Sequence, residues 1–179
     1  NLFLLGHRAI QATGTNQLIV KNSTFQNGWY VSLQGNFTQL DVSDSTFTNV
    51  KSGINVQKAT GNTTISNTDF SVIAQGVTND TYGVRFASDD ASTGGSLSIT
   101  GSSFVVDKNN FVAEPGTFHS AIIIRAGAAG PLTVKNNKIF GEVVNQSTVG
   151  LDASPNWWGS ILGPATGKIS GTGQYDPWC

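Results

Sequence analysis

Thiols are almost absent from this chain: its one cysteine, Cys179, is also its last residue. That excludes an intrachain disulfide and a metal site built from thiolates. Cys179 reads as a lone thiol at a boundary, with an anchoring or interchain bridge as the alternative. Charge is scarce as well, at 12% of residues, about half the usual share. The net charge is −1 and lysine and arginine form no cluster, so nothing favours a polyanionic partner such as nucleic acid. No apolar run approaches the ~20 residues of a membrane span, so no membrane insertion is expected. Asn1–Leu5 is too short for a signal peptide and lacks its positive start, so the chain reads as a mature or excised piece. Histidine occurs only at positions 7 and 119, which limits what imidazole chemistry could do.

This scarcity of charge is not a signature of disorder. Hydrophobic residues make up 38% of the chain and fall in a pattern, among 21 glycines and abundant Ser, Thr and Asn. At 179 residues the chain fits a single domain spanning 1–179, long enough to bury a real core. A short phrase recurs five times: an apolar-x-apolar strand, a polar turn residue, then a large apolar residue three positions later. The copies run Leu18 to Phe25, Leu40 to Phe47, Thr63 to Phe70, Leu97 to Phe104 and Leu132 to Ile139. Their last residues lie 22, 23, 34 and 35 positions apart, an irregular period with strand-type alternation that signals a β-solenoid.

The turn residues are Asn22, Asp44, Asn67, Gly101 and Asn136, types that tolerate a left-handed backbone. Stacked coil over coil, they are expected to form an internal Asn/Asp ladder beside Phe25, Phe47, Phe70, Phe104 and Ile139. A second strand is expected in each repeat: 30–33, 53–56, 83–86, 121–124 and 150–153. Alternation sends Val31, Leu33, Ile54, Val56, Val84, Phe86, Ile122, Ile124, Leu151 and Ala153 inward. It sends Ser32, Asn55, Arg85, Ile123 and Asp152 outward, with Gln34, Gln57, Ala87, Arg125 and Ser154 as a neighbouring row.

The phrase "LxVxNSxF" followed by "GVxF", with asparagine at the turn, resembles the right-handed parallel β-helix of the pectin-lyase-like superfamily. The tail Ala153-Ser154-Pro155-Asn156-Trp157-Trp158-Gly159-Ser160, Gly163-Pro164, Ile169-Ser170-Gly171 and Tyr175-Asp176-Pro177-Trp178 is similar to the ending of many bacterial and archaeal surface β-helices. The resemblance covers nearly the whole chain and implies an all-β, right-handed parallel β-helix of about five coils, with residues 153–179 as a capping tail. It also implies a secreted or cell-surface protein, or a segment of a longer one. Within the tail, Trp157 and Trp158 read as a hydrophobic lid on the last coil ahead of a sugar-stacking platform.

The superfamily groove lies on the outward face of the strand that follows the longest loops, here the Ser32, Asn55, Arg85, Ile123, Asp152 row. Residues 71–81, 105–119 and 140–148 read as insertions gathered on one side of the rod, where recognition usually resides. Together these point to Asp80, Tyr82, Arg85, Asp107, His119, Arg125 and Asp152 as ligand-binding candidates. Glycoside hydrolysis needs two facing carboxylates roughly 5–10 Å apart, and the row offers only Asp152, with Asp89-Asp90 in a loop. Lyase chemistry could take Arg85 or Arg125 as base, but no cluster of three acids is visible. His119, beside Phe118, reads as a packed or solvated histidine.

No catalytic residue, metal or cofactor is assigned. The expected role is a non-catalytic adhesive or structural module whose partner is a polysaccharide or another surface protein. The alternatives are a polysaccharide lyase, epimerase or hydrolase fragment, and a subunit that self-associates end to end through exposed coil ends into a filament. Five Asn-x-Ser/Thr sequons occur, where chance gives roughly three. Of these Asn36, Asn62, Asn79 and Asn145 fall in expected loops and are candidate glycosylation sites.

Overall fold

The computed structural model describes residues 2–4, 8–74, 79–89, 94–108 and 115–176, with backbone only for residues 3, 4, 13, 15 and 16. Among them there is no helix, and the strands pair in parallel in two curled sheets, an arrangement consistent with a solenoid. One sheet stacks Leu2–Leu4, Thr24–Gln26, Thr46–Val50, Asp69–Ile73, Ser103–Asp107 and Lys138–Phe140. The larger sheet has two limbs. One limb runs through Ile10, Leu33, Ile54, Val84, Ile122 and Val143, and the other through Leu18, Leu40, Thr63, Leu97, Leu132 and Leu151. Ile10–Lys21 and Val31–Ser43 each run through both limbs, bending where their register slips at residues 12–16 and 35–36.

The first sheet supplies the core with a column of rings. Phe25, Phe47, Phe70 and Phe104 are in register and fully buried, with centroids 4.5, 4.8 and 4.7 Å apart and planes within 9° of parallel. Free aromatic pairs prefer an offset or edge-on arrangement. Here the strand spacing of about 4.8 Å sets the ring spacing and forces the stack. The column and the carbonyls of the neighbouring strand together explain the glycine that opens the "GVxF" strand. A Cβ at Gly53 would lie 2.5 Å from the Gly83 carbonyl oxygen and 3.0 Å from the Phe70 ring, and one at Gly83 would lie 2.8 Å from both the Ala121 carbonyl oxygen and the Phe104 ring.

The expected inward slots of the repeat are buried, Leu18 only partly so. The ladder is displaced by one residue from its expected place. Asn22, Asp44, Asn67, Gly101 and Asn136 do adopt positive φ, between 46° and 61°. All five are exposed, and the four that carry side chains turn them out of the coil, where Asn67 Nδ2 donates to Asp44 Oδ1 at 3.3 Å. The buried ladder is built from the next residue, Ser23, Ser45, Thr68, Ser102 and Asn137, and is extended by Asn156 in the tail. Ser23 N–H donates to Ser45 Oγ at 3.2 Å and Thr68 N–H to Ser102 Oγ at 3.2 Å. Ser102 N–H donates to Asn137 Oδ1 at 2.9 Å, and Asn137 N–H to Asn156 Oδ1 at 2.9 Å. Each hydroxyl returns its proton to the carbonyl two residues earlier, so donors and acceptors inside the turn are satisfied.

The tail continues the stacking. Trp157 bridges to Lys138, Ile169–Ser170 pairs with Val143 and Val144, and Gly173–Gln174 pairs with Leu151 and Asp152. Trp158 is buried in the core cluster at this end, and Trp157 is half-buried.

Candidate functional site

Strand pairing corrects the expected recognition row. Gln34, not Ser32, is level with Asn55, followed by Arg85, Ile123 and Val144. Val143–Asn145 is the strand that follows Ile122 on this limb, so residues 140–148 are not an insertion. The segment expected there, 150–153, lies on the other limb, where Leu151 pairs with Leu132 and Asp152 with Thr133. Gly150-Leu151-Asp152-Ala153 imitates the alternation of "GVxF", and alternation says nothing about which limb a strand joins. The row is also less open than alternation implies: Ser32, Asn55 and Ile123 are buried despite their outward assignment.

A hollow of about 210 Å³ lies over this limb, lined by Tyr30, Gln34, Asn55, Gln57, Arg85 and Asp89 among others. Arg8 and Lys51 reach its rim from neighbouring segments. Behind it sits a carboxylate clamp. Asp80, with a side chain only 7% exposed, pairs with Arg85 Nη1 at 3.2 Å and with Arg125 Nη2, and it accepts the Phe118 backbone N–H at 3.0 Å. Arg85 Nε donates to Asn55 Oδ1 at 3.2 Å, and Arg125 Nη1 donates to Gln146 Oε1 at 2.9 Å. The Arg85 guanidinium covers the Tyr82 ring at 4.6 Å. One carboxylate thus ties strand 81–86, residue 118 and the end of strand 119–124 into a single polar layer. Comparisons with protein-family models, curated proteins and solved structures return no match.

Of the sequence candidates, Asp80, Tyr82, Arg85 and Arg125 are brought together, while Asp107, His119 and Asp152 lie apart from the hollow. Tyr82 is 1% exposed, so its ring packs under Arg85 and offers no stacking face. Burial pushes its phenol above the ordinary value, against the opposing pull of Arg85 and a hydrogen bond with Ser52. Asp107 ends a strand of the phenyl sheet, level with Ile73. Asp152 pairs with Lys135 Nζ at 2.5 Å on the other limb. Sequence reasoning missed Arg8 and Lys51, which no motif marks and which only the stacking of coils brings to one rim.

His119 is buried and its Nδ1 lies 2.5 Å from Thr81 Oγ1 on the neighbouring strand. Burial lowers its pKa below the ordinary 6.5, Lys108 lowers it further, and Asp80 and Glu142 oppose the shift. The folded chain therefore takes up this proton later on acidification than the unfolded chain does. The stabilising contribution is complete above about pH 6.5 and is lost as the pH falls below it. Urea-unfolding midpoints are expected to fall from pH 7 toward acid, with a smaller fall in His119→Gln; equal falls in both chains would remove His119 as the cause.

The glycosylation candidates divide. Asn62 and Asn79 are exposed and Asn36 is half-buried. Asn145 is buried, its amide donating to the Val149 and Thr172 carbonyls and accepting from Ser147, so the folded chain does not present it. Cys179, His7 and Asp90 lie outside the described residues. Among the described residues no three His, Cys, Asp or Glu side chains gather into a group that could hold a metal ion.

Proposed function

We propose that this chain is a right-handed parallel β-helix of about five coils, related to the pectin-lyase-like superfamily. In this reading it is a secreted or surface module that binds saccharide at the hollow over Gln34, Asn55 and Arg85. The observation that carries the reading is the chemistry of that hollow. Amides (Gln34, Asn55, Gln57) and a fixed guanidinium line it beside the half-exposed ring of Tyr30. The Gln34 and Gln57 amides can donate and accept in pairs, which suits vicinal hydroxyls, while the buried Asn55, its Oδ1 held by Arg85 Nε, positions the guanidinium. A hollow of about 210 Å³ is smaller than the roughly 300–1,000 Å³ sites of drug-sized ligands and matches one sugar ring of a longer chain. The non-catalytic reading is favoured over a lyase because both arginines that could serve as base are held in ion pairs by Asp80.

The test is a glycan array coupled to a polysaccharide-degradation assay. Saturable binding without released product is expected, weakened about tenfold when Gln34→Ala and Asn55→Ala are combined. Product release that Arg85→Ala abolishes would replace the binding module with an enzyme.

A further inference from the structure

A second hollow lies around the corner from the first, between the phenyl sheet and the limb that carries Arg85. It is lined by Asn27, Gly28, Trp29, Asn49 and Ile73 and holds about 190 Å³. Three features set it apart from the other exposed apolar groups.

The first is Trp29 itself, 70% exposed. It stands on an outward kink of the chain. Phe25 is level with Phe47 and Val31 with Ser52, so this corner holds one residue more than the corner stacked on it. The extra length carries Trp29 outward from a coil whose next corner turns through Lys51 alone.

The second is a pair of amides. Asn27 and Asn49 occupy successive coils, both left-handed, with φ of 55° and 52°, and both exposed. Asn27 N–H donates to the Thr48 carbonyl at 3.0 Å, which holds one turn directly against the other. Both line the same hollow as the indole, and amides bring donors and acceptors to it.

The third is the absence of an ionisable group among the residues lining the hollow. Ile161 and Leu162, more exposed than Trp29, line neither hollow, and Val105 and Phe140 pair with each other in the phenyl sheet.

We propose that this corner is a stacking subsite for a neutral pyranose. The indole takes the apolar C–H face of the ring and the two asparagine amides take hydroxyls on its edge. Trp29 is bonded to Tyr30, which lines the first hollow, so a linear oligosaccharide can engage both hollows through adjacent residues. Pyranoses with all-equatorial hydroxyls present the flattest C–H face, so gluco-configured oligosaccharides are the ligand class, and β-1,4-linked cellohexaose offers that face on each of its rings. An indole face and a pair of amides bind such a ring without charge, so affinity here is expected to be indifferent to salt.

The subsite rests on the saccharide reading above, and the experiment separates the two. Cellohexaose is titrated calorimetrically into the wild type, Trp29→Ala, Trp29→Phe, the pair Asn27→Gly with Asn49→Gly, and the pair Gln34→Ala with Asn55→Ala. Glycine keeps the left-handed backbone while removing the amide. Trp29→Ala is expected to weaken binding about tenfold and the glycine pair about threefold to tenfold, with Trp29→Phe within about threefold of wild type. The thermal midpoint of Trp29→Ala should match wild type, because the side chain it removes is mostly in solvent. Unchanged affinity in Trp29→Ala overturns the subsite; if the Gln34/Asn55 pair still weakens binding, the first hollow stands alone. A wild type that binds other array saccharides but not cellohexaose overturns the ligand class and the subsite with it. Failure to bind any saccharide overturns both readings.

Discussion

Phe70→Ala is expected to destabilise the chain by about 3–5 kcal/mol, the usual range for removing a buried phenyl ring without collapse of the cavity. Phe70 lies between Phe47 at 4.8 Å and Phe104 at 4.7 Å and is 2% exposed, so its loss strips a stacking partner from both neighbours. The neighbours cannot close the gap, because hydrogen-bonded strands on either side hold the rings one strand spacing apart. Phe70→Leu keeps most of the volume and is expected to cost about 1–2 kcal/mol. Urea unfolding of the three chains checks both values. A loss below about 1 kcal/mol for the alanine variant would mean that the column is not the structural spine described above.

The second large effect is expected at Asp80. Removing one partner of a fully buried ion pair costs about 3–5 kcal/mol, because the remaining charge is left without compensation. Here the guanidiniums of Arg85 and Arg125 keep 22% and 28% of their side-chain surface in solvent, which screens them. The expected cost of Asp80→Ala is therefore about 2 kcal/mol. Asp80→Asn keeps an acceptor for the Phe118 N–H while losing the charge, and should fall between wild type and alanine. Releasing Arg85 also frees its hold on Asn55, so saccharide affinity at the first hollow should drop along with stability. Denaturation and array binding of both variants test this. A stability change within about 0.5 kcal/mol would reduce the clamp to an ordinary surface ion pair.

Both expectations differ in how far they could be read from the chain alone. The phenyl column was legible, because Phe25, Phe47, Phe70 and Phe104 return at one slot of a repeated phrase, and a repeated slot in a stacked strand must meet its own copies. The glycines that open strands 53–56 and 83–86 had a visible pattern whose cause needed the column and the neighbouring strand's carbonyls beside them. The polar ladder was legible in composition but misplaced by one residue. The asparagine that makes the left-handed turn and the serine that follows it are adjacent in sequence, and only the backbone angle decides which side chain enters the coil.

The site was less legible, and the reason is register. Parallel strands from successive coils are paired by hydrogen bonds, and loops of unequal length intervene between them. A single misassigned strand, 150–153 in place of 143–145, therefore moved Asp152 onto the wrong limb. Ile123 was rightly placed on a strand, and Tyr82, expected just ahead of strand 83–86, lies within it; the exposure of both depended on what packs over them. Arg8, Lys51 and the Asp80 clamp come from three separate segments that no motif links.

What the residues alone determined was the repeated part: an all-β chain of parallel strands with a phenyl core, because burial selects the same apolar classes at the same slots in each repeat. What only the tertiary structure decided was which outward side chains share a surface. Outward positions carry no periodic constraint, so their neighbours are set by pairing and by the lengths of the connections. The Asp80 clamp and the Trp29 corner both arise at such irregular connections.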